Sequence, residues 1–133
     1  MFLIFAPIMP EFSIKSLHHI FFDEKTCVEF LFEKGILYAS MKCPKCRVEM
    51  AKVCDKAINH PFWRCRKCQR KRSVFYKSFF DGSKLPANEV LFLAYLWISK
   101  CSFTVILEMT DHSRHTIKEY LGIFRDLITQ DVE

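Results

Sequence analysis

The chain has 133 residues, half of them hydrophobic and 15% aromatic, which is enough for one ordinary domain or two small ones and excludes general disorder. Its net charge of +5 is mild, yet from Lys42 to Lys84 thirteen Lys/Arg stand against only Glu49, Asp55 and Asp81. A basic centre between mildly acidic flanks predicts a localised polyanion-binding surface.

The opening residues, Met1 to Met9, are apolar but lack a basic leader, are interrupted by Pro7 and followed by Pro10, and precede no small-residue cleavage site. They fall far short of the ~20 residues that span a bilayer. They are expected to form a tail that packs on the body or on a partner, and no membrane role is expected. Residues 13–35 read as helical. Ile20, Cys27, Phe30 and Leu31 recur at helical spacing, Asp23 can cap, and Gly35 stands where a left-handed C-terminal residue is wanted. His18 and His19 are expected as a partly exposed helical pair.

Between residues 42 and 80 come short β-type runs, at Glu49–Val53, Phe62–Arg64 and Ser73–Phe79. Four cysteines punctuate them, in Cys43-Pro44-Lys45-Cys46 and Cys65-Arg66-Lys67-Cys68. Each C-x-x-C turn can present two thiolates, and the eighteen residues between the pairs suffice for a hairpin that folds one onto the other. Cys43, Cys46, Cys65 and Cys68 are therefore expected to hold one structural zinc ion, closing all four positions and stabilising the fold without catalysis. A redox role fits poorly, because two pairs are present and neither sits in a βαβ pattern. Cys54 and His60 are weaker candidate ligands without knuckle spacing, and Cys27 and Cys101 read as buried small hydrophobes. An odd total of seven cysteines also argues against a secreted disulfide framework and for a reducing, intracellular setting.

Around the second pair the cations are dense: Arg64, Arg66, Lys67, Arg70, Lys71 and Arg72, followed by Val74, Phe75 and Tyr76. Such a row can neutralise several phosphates, although a plain solvated face is the commoner origin of a charge run.

Asp81-Gly82-Ser83 predicts a turn, and Pro86 suits the first turn of a helix. The strongly apolar stretch Val90–Ile98 then predicts a buried helix. Ser102 can cap a second helix over roughly 103–110. Ser113 can cap a third, with Ile117, Tyr120, Leu121, Phe124 and Ile128 on its inner face. Two helices joined by a tight turn at Thr110-Asp111-His112 fit a helix-turn-helix, with Asp111 as the residue that tolerates a left-handed turn; a plain three-helix bundle fits equally well. In the first arrangement Arg114, His115, Thr116 and Lys118 occupy the exposed start of the recognition helix, and His112 packs at the turn. No catalytic constellation appears: the acids are scattered, and with three glycines there is no phosphate-cradling loop.

The order Cys-Pro-x-Cys, then Trp63-Arg64-Cys65-x-x-Cys68, then Ser78-Phe79-Phe80-x-Gly82-Ser83-Lys84-Leu85 resembles the N-terminal part of Merlin-type transposases. The leading Phe30-Leu31 and Gly35-Ile36-Leu37 resemble it too, as do Leu96-Trp97, Ser113-x-x-Thr116-Ile117-x-Glu119-Tyr120 and Phe124-Arg125-Asp126. The likeness covers roughly residues 23–131. It implies an α+β chain: an N-terminal tail and helix (1–41), a zinc ribbon (42–80), and a helix-turn-helix with the start of a connecting helix (85–133). Two positions depart from the family pattern, since Arg47 and Lys77 stand where glycine is common. Family members continue into a ribonuclease-H-like domain whose acidic triad performs strand transfer, and these residues include none of it. The expectation is a DNA-binding portion of a transposase-derived protein. It would work in the nucleus, with no enzymatic activity or small-molecule substrate of its own, and would pair with itself or a full-length transposase. The rival expectation is a zinc-stabilised protein-interaction module, which a large exposed apolar patch on the 90–98 helix would favour.

Overall fold

The structure is a computed structural model that describes residues 13–55 and 60–132. The apolar opening segment lies outside the described residues, and so does the side chain of Ile128. Five helices and one small antiparallel sheet make an α+β fold among the described residues.

The N-terminal stretch forms two helices where the sequence suggested one: α1 (Ile14–Phe21) and α2 (Glu24–Glu33). The break follows from Asp23, which takes an extended backbone and accepts from the Thr26 amide at 3.2 Å, so it opens a second helix. Ser13 caps α1 in the same way. At the end of α2, Gly35 has φ of 73°. Ile36 N–H reaches back to the Leu31 carbonyl at 3.0 Å and Gly35 N–H to that of Phe32 at 3.1 Å, a Schellman closure.

The three strands are β1 (Ala51–Val53), β2 (Phe62–Arg64) and β3 (Lys71–Ser73), ordered β1-β2-β3 and antiparallel throughout. The expected strand at 73–79 is absent; only its first residue is in a strand. There the Ser and Asp side chains capture the backbone donors that a ladder needs. Ser73 Oγ accepts from Phe75 N–H at 3.0 Å, Ser78 Oγ from Phe80 N–H at 3.2 Å, and Asp81 from Lys77 N–H at 3.2 Å. The chain therefore runs through successive tight turns to Gly82, whose φ is 72°.

Helices α3 (Ala87–Ile98), α4 (Phe103–Met109) and α5 (Arg114–Val132) follow as the apolar periodicity indicated. Helix α3 is the hub and packs against α1, α2, α4 and α5. Being covered on most sides, it buries Val90, Leu91, Phe92, Leu93, Ala94 and Leu96. Each fully buried leucine contributes roughly 1.5–3 kcal/mol relative to an exposed one. From α5, Ile117, Tyr120, Phe124 and Leu127 complete this core, while Leu121 is half-buried at its edge. The connection between α4 and α5 differs from expectation. Asp111 is not left-handed, and Thr110 is extended, with φ of −125°. The left-handed residue is Lys100, at φ 64°, where α3 closes through Cys101 N–H to the Leu96 carbonyl at 3.1 Å.

A second, smaller core of Cys43, Met50, Trp63, Cys65 and Val74 lies under the sheet. Phe32 of α2 and Phe75 pack against both cores and so join the sheet to the helices. Tyr120 adds a polar tie: its hydroxyl lies 2.7 Å from Ser83 Oγ and accepts from Leu85 N–H at 3.3 Å.

Candidate metal centre and its basic surroundings

The two C-x-x-C turns have the same backbone construction. Cys43 N–H donates to the Val48 carbonyl (2.9 Å) and Arg47 N–H to that of Cys43 (2.8 Å); Cys65, Arg70 and Gln69 repeat the pattern at 2.8 and 2.9 Å. Both turns reverse through a left-handed residue just after the second cysteine, Arg47 at φ 60° and Gln69 at φ 63°. The tight reversal aims the Cys46 amide at Cys43 Sγ and the Cys68 amide at Cys65 Sγ, each at 3.4 Å.

Pairing of β1 with β2 then brings the two turns together. The four sulfur atoms lie within 4.8 Å of one another, and those of Cys43 and Cys68 are 3.6 Å apart. Four thiolates about 2.3 Å from a tetrahedral ion stand roughly 3.8 Å from each other, so the cluster has the dimensions of a closed metal site. The same separation is too long for a disulfide, and all seven cysteines are free thiols. Electrostatics favour ionisation of one cysteine in each turn. The Cys46 amide, helped by that of Lys45, holds the Cys43 thiol down to about 6, and the Cys68 amide likewise lowers Cys65. Burial, reinforced by the neighbouring sulfurs, pushes Cys46 up to about 12, so a bound cation must displace its proton.

Neither weaker candidate ligand joins the cluster. Cys54 is exposed, and the His60 ring packs edge-on against Phe75 at 5.1 Å. Cys27 is fully buried, and burial pushes its thiol up to about 12; Cys101 packs half-buried against the main core. His18 and His19 are both exposed, with their rings 5.9 Å apart.

The cations around the second turn do not form one row, because a strand alternates its faces. Arg64 is paired with Lys71, and both approach Phe62, at 5.4 and 5.2 Å from the ring centre. Arg72 is paired with the buried Trp63 on the opposite face, with Lys52, and lies half-buried 4.1 Å over Tyr76. Arg64 is also half-buried, and its Nε has no hydrogen-bond partner. The exposed members of the run are Arg66, Lys67, Arg70 and Lys71.

At the start of α5, Ser113 caps as expected, accepting from Thr116 N–H at 3.2 Å and donating to the Thr116 hydroxyl at 3.0 Å. Thr116 is thereby engaged in the cap, while Arg114, His115 and Lys118 are exposed. Glu119 turns toward Lys84, at 3.6 Å, and His112 toward Glu89, at 3.7 Å. Arg125 is also exposed, and Lys100 is exposed in the turn after α3. Positions 114, 118 and 125 recur along one side of α5 at helical spacing.

Among the described residues no helix is long and apolar enough to cross a membrane. No family model matches the chain, and no curated protein or solved structure matches it.

Proposed function

We propose that the protein binds DNA through a zinc ribbon and a helix-turn-helix acting together, as the DNA-binding portion of a transposase-derived protein of the nucleus. The observation that carries this reading is the exposed set Arg66, Lys67, Arg70 and Lys71. These four cations border a four-cysteine cluster in a segment with thirteen cations against three acids. The ion is zinc, because four thiolates in a closed tetrahedron suit that metal and leave no open position for chemistry. It pins the turns that carry the cations and so keeps them spaced for phosphates. In the helical half, α4 and α5 form the two helices of the motif, and the first turn of α5, with His115 exposed and Arg114 beside Phe103, approaches the base edges.

The likeness to Merlin-type transposases is supported by the backbone at its two departures. Arg47 and Lys77, where that family commonly has glycine, both have φ of 60°, the conformation that favours glycine. The family's acidic-triad domain has no counterpart in these residues, so the reading assigns them binding, alone or alongside a full-length relative, and not strand transfer. The interaction-module reading called for an exposed apolar patch on α3. None of the exposed large apolar side chains among the described residues lies on that helix.

The test compares two charge variants of the zinc-loaded chain on mixed-sequence duplex across a salt series. Arg70→Ala with Lys71→Ala should flatten the log–log salt dependence by about 1.8, at about 0.9 for each phosphate no longer neutralised. Arg72→Ala, on the inner face, should change it little. Equal affinity and slope for the parent and the Arg70/Lys71 variant would reduce the basic run to a solvated surface.

A further inference from the structure

We propose that the groove between the end of α3, the start of α4 and the side of α5 is a second nucleic-acid contact. In it Lys100, Lys118 and Arg125 hold the sugar–phosphate backbone of a duplex. This rests on the DNA reading above and adds a surface that the ribbon does not supply.

The segment 85–133 is acidic overall, with seven acids against four cations, Lys100, Arg114, Lys118 and Arg125. A solvated acidic segment has no reason to gather its few cations, yet Lys118 and Arg125 line one groove, Arg114 lies beside its Phe103, and Lys100 sits in the turn between its Trp97 and Phe103. The groove is about 400 Å³ and is lined by Trp97, Phe103, Lys118, Leu121 and Arg125. At 100° per residue, 114, 118 and 125 fall within roughly 40° of one another on α5. The Arg114 guanidinium and the Lys118 ammonium lie 5.9 and 5.8 Å from the centre of the Phe103 ring. Arg125 folds back along the helix, its Nη2 3.9 Å from where a Cβ on Gly122 would stand, and so reaches toward Lys118. Lys100 is exposed in the turn between α3 and α4, three residues from both Trp97 and Phe103.

No acid lines the groove. Glu119 and Glu89 are turned to Lys84 and His112, and Asp126 lies roughly 100° further round the helix. The aromatic floor keeps the cations from neutralising contacts and sets two of them side by side over one ring. A phosphate run fits this better than a stacked base, since Phe103 already carries cations. From Arg114 to Arg125 the stripe runs roughly 16 Å along the helix axis, long enough to meet more than one phosphate of a strand.

The test uses the zinc-loaded chain, a mixed-sequence duplex and fluorescence anisotropy across a salt series. The double variant Lys100→Asn, Arg125→Gln removes two cations while keeping a residue that tolerates the left-handed turn. The expected result is a salt slope shallower by about 1.8 and a roughly tenfold or greater loss of affinity at ~0.1 M salt. The charge-preserving pair Lys100→Arg, Arg125→Lys should retain the parent slope, which separates charge from packing. An unchanged slope in the double variant, with the Arg70/Lys71 variant still weakened, overturns this groove and leaves the ribbon reading standing. A parent chain that fails to bind duplex even at low salt overturns both. Unchanged duplex binding with reduced affinity for polyglutamate overturns it in favour of an acidic peptide.

Discussion

Relief of left-handed backbone strain offers a quantitative test of the described turns. Arg47 and Lys77 each have φ of 60° and exposed side chains, so neither is held there by burial. An L-residue in that region costs roughly 1–2 kcal/mol through its Cβ, and glycine avoids this but gives back about 0.5–1 kcal/mol in unfolded-chain entropy. Arg47→Gly should therefore stabilise the zinc-loaded protein by about 0.5–1 kcal/mol, and Lys77→Gly by less. Lys77 also lies 5.6 Å over Tyr76, an interaction worth about 0.5–1 kcal/mol at an exposed site, which its removal would subtract. The comparison is thus made with alanine, which lacks the same side chain but keeps the Cβ. Glycine should exceed alanine by about 0.5–1 kcal/mol at each position, or roughly 4 °C in melting temperature per kcal/mol for a chain of this size. Urea denaturation and thermal melts followed by circular dichroism read both quantities. Alanine matching or exceeding glycine at both sites would refute the left-handed assignment, and with it the backbone support for the family likeness.

Two further outcomes follow from the thiols. Cys65→Ser should abolish metal binding, measured as bound zinc per chain by elemental analysis, and unfold the sheet, while Cys54→Ser and His60→Ala should retain full zinc. The Cys27 thiol ionises near 9 when exposed and near 12 in the folded core, so between those values the unfolded chain holds fewer protons. Stability from this group is complete below pH ~9 and is lost as pH rises toward 12. Denaturant melts should show an alkaline decline that is shallower in Cys27→Ala, although that variant also leaves a small cavity.

The helices were legible wherever one residue type decides the backbone. Ser102, Ser113 and Asp23 act as caps, and Gly35 closes α2, because a short side-chain oxygen or a missing Cβ is a local cause. The same clarity misled at Asp23, where a cap in mid-segment means two helices rather than one. The strand expected at 73–79 failed for a related reason. Its apolar residues suit a strand, but Ser73, Ser78 and Asp81 supply local hydrogen bonds that close turns sooner than a distant strand can pair. The four ligands could be read from spacing alone, since two tight turns need only one hairpin to meet. The split of the basic run could not, because it depends on which residue of β3 lies opposite Trp63.

On the proposed DNA reading, the approach of α5 turns on Arg114, which the sequence placed at the exposed start of the helix. Arg114 is exposed there, and its guanidinium lies 5.9 Å from the centre of the Phe103 ring, on the same side of α5 as Lys118 and Arg125. His115, roughly 100° further round, has no such neighbour on its side of the helix start and remains exposed. If the helix enters the major groove by its first turn, Arg114 sits at the boundary between the base edges and the phosphate stripe. A bidentate contact to guanine, worth about 1–3 kcal/mol of discrimination, requires it to leave Phe103. Arg114→Ala should then flatten a binding-site selection and leave the salt slope nearly intact, because a base contact releases no phosphate counterion. The opposite pattern, an unchanged preferred site with the slope reduced by about 0.9, would assign Arg114 to the phosphate stripe and leave base reading to His115. A parent chain that selects no site at all would make α5 a purely phosphate-binding helix, and sequence choice would then have to come from outside these residues.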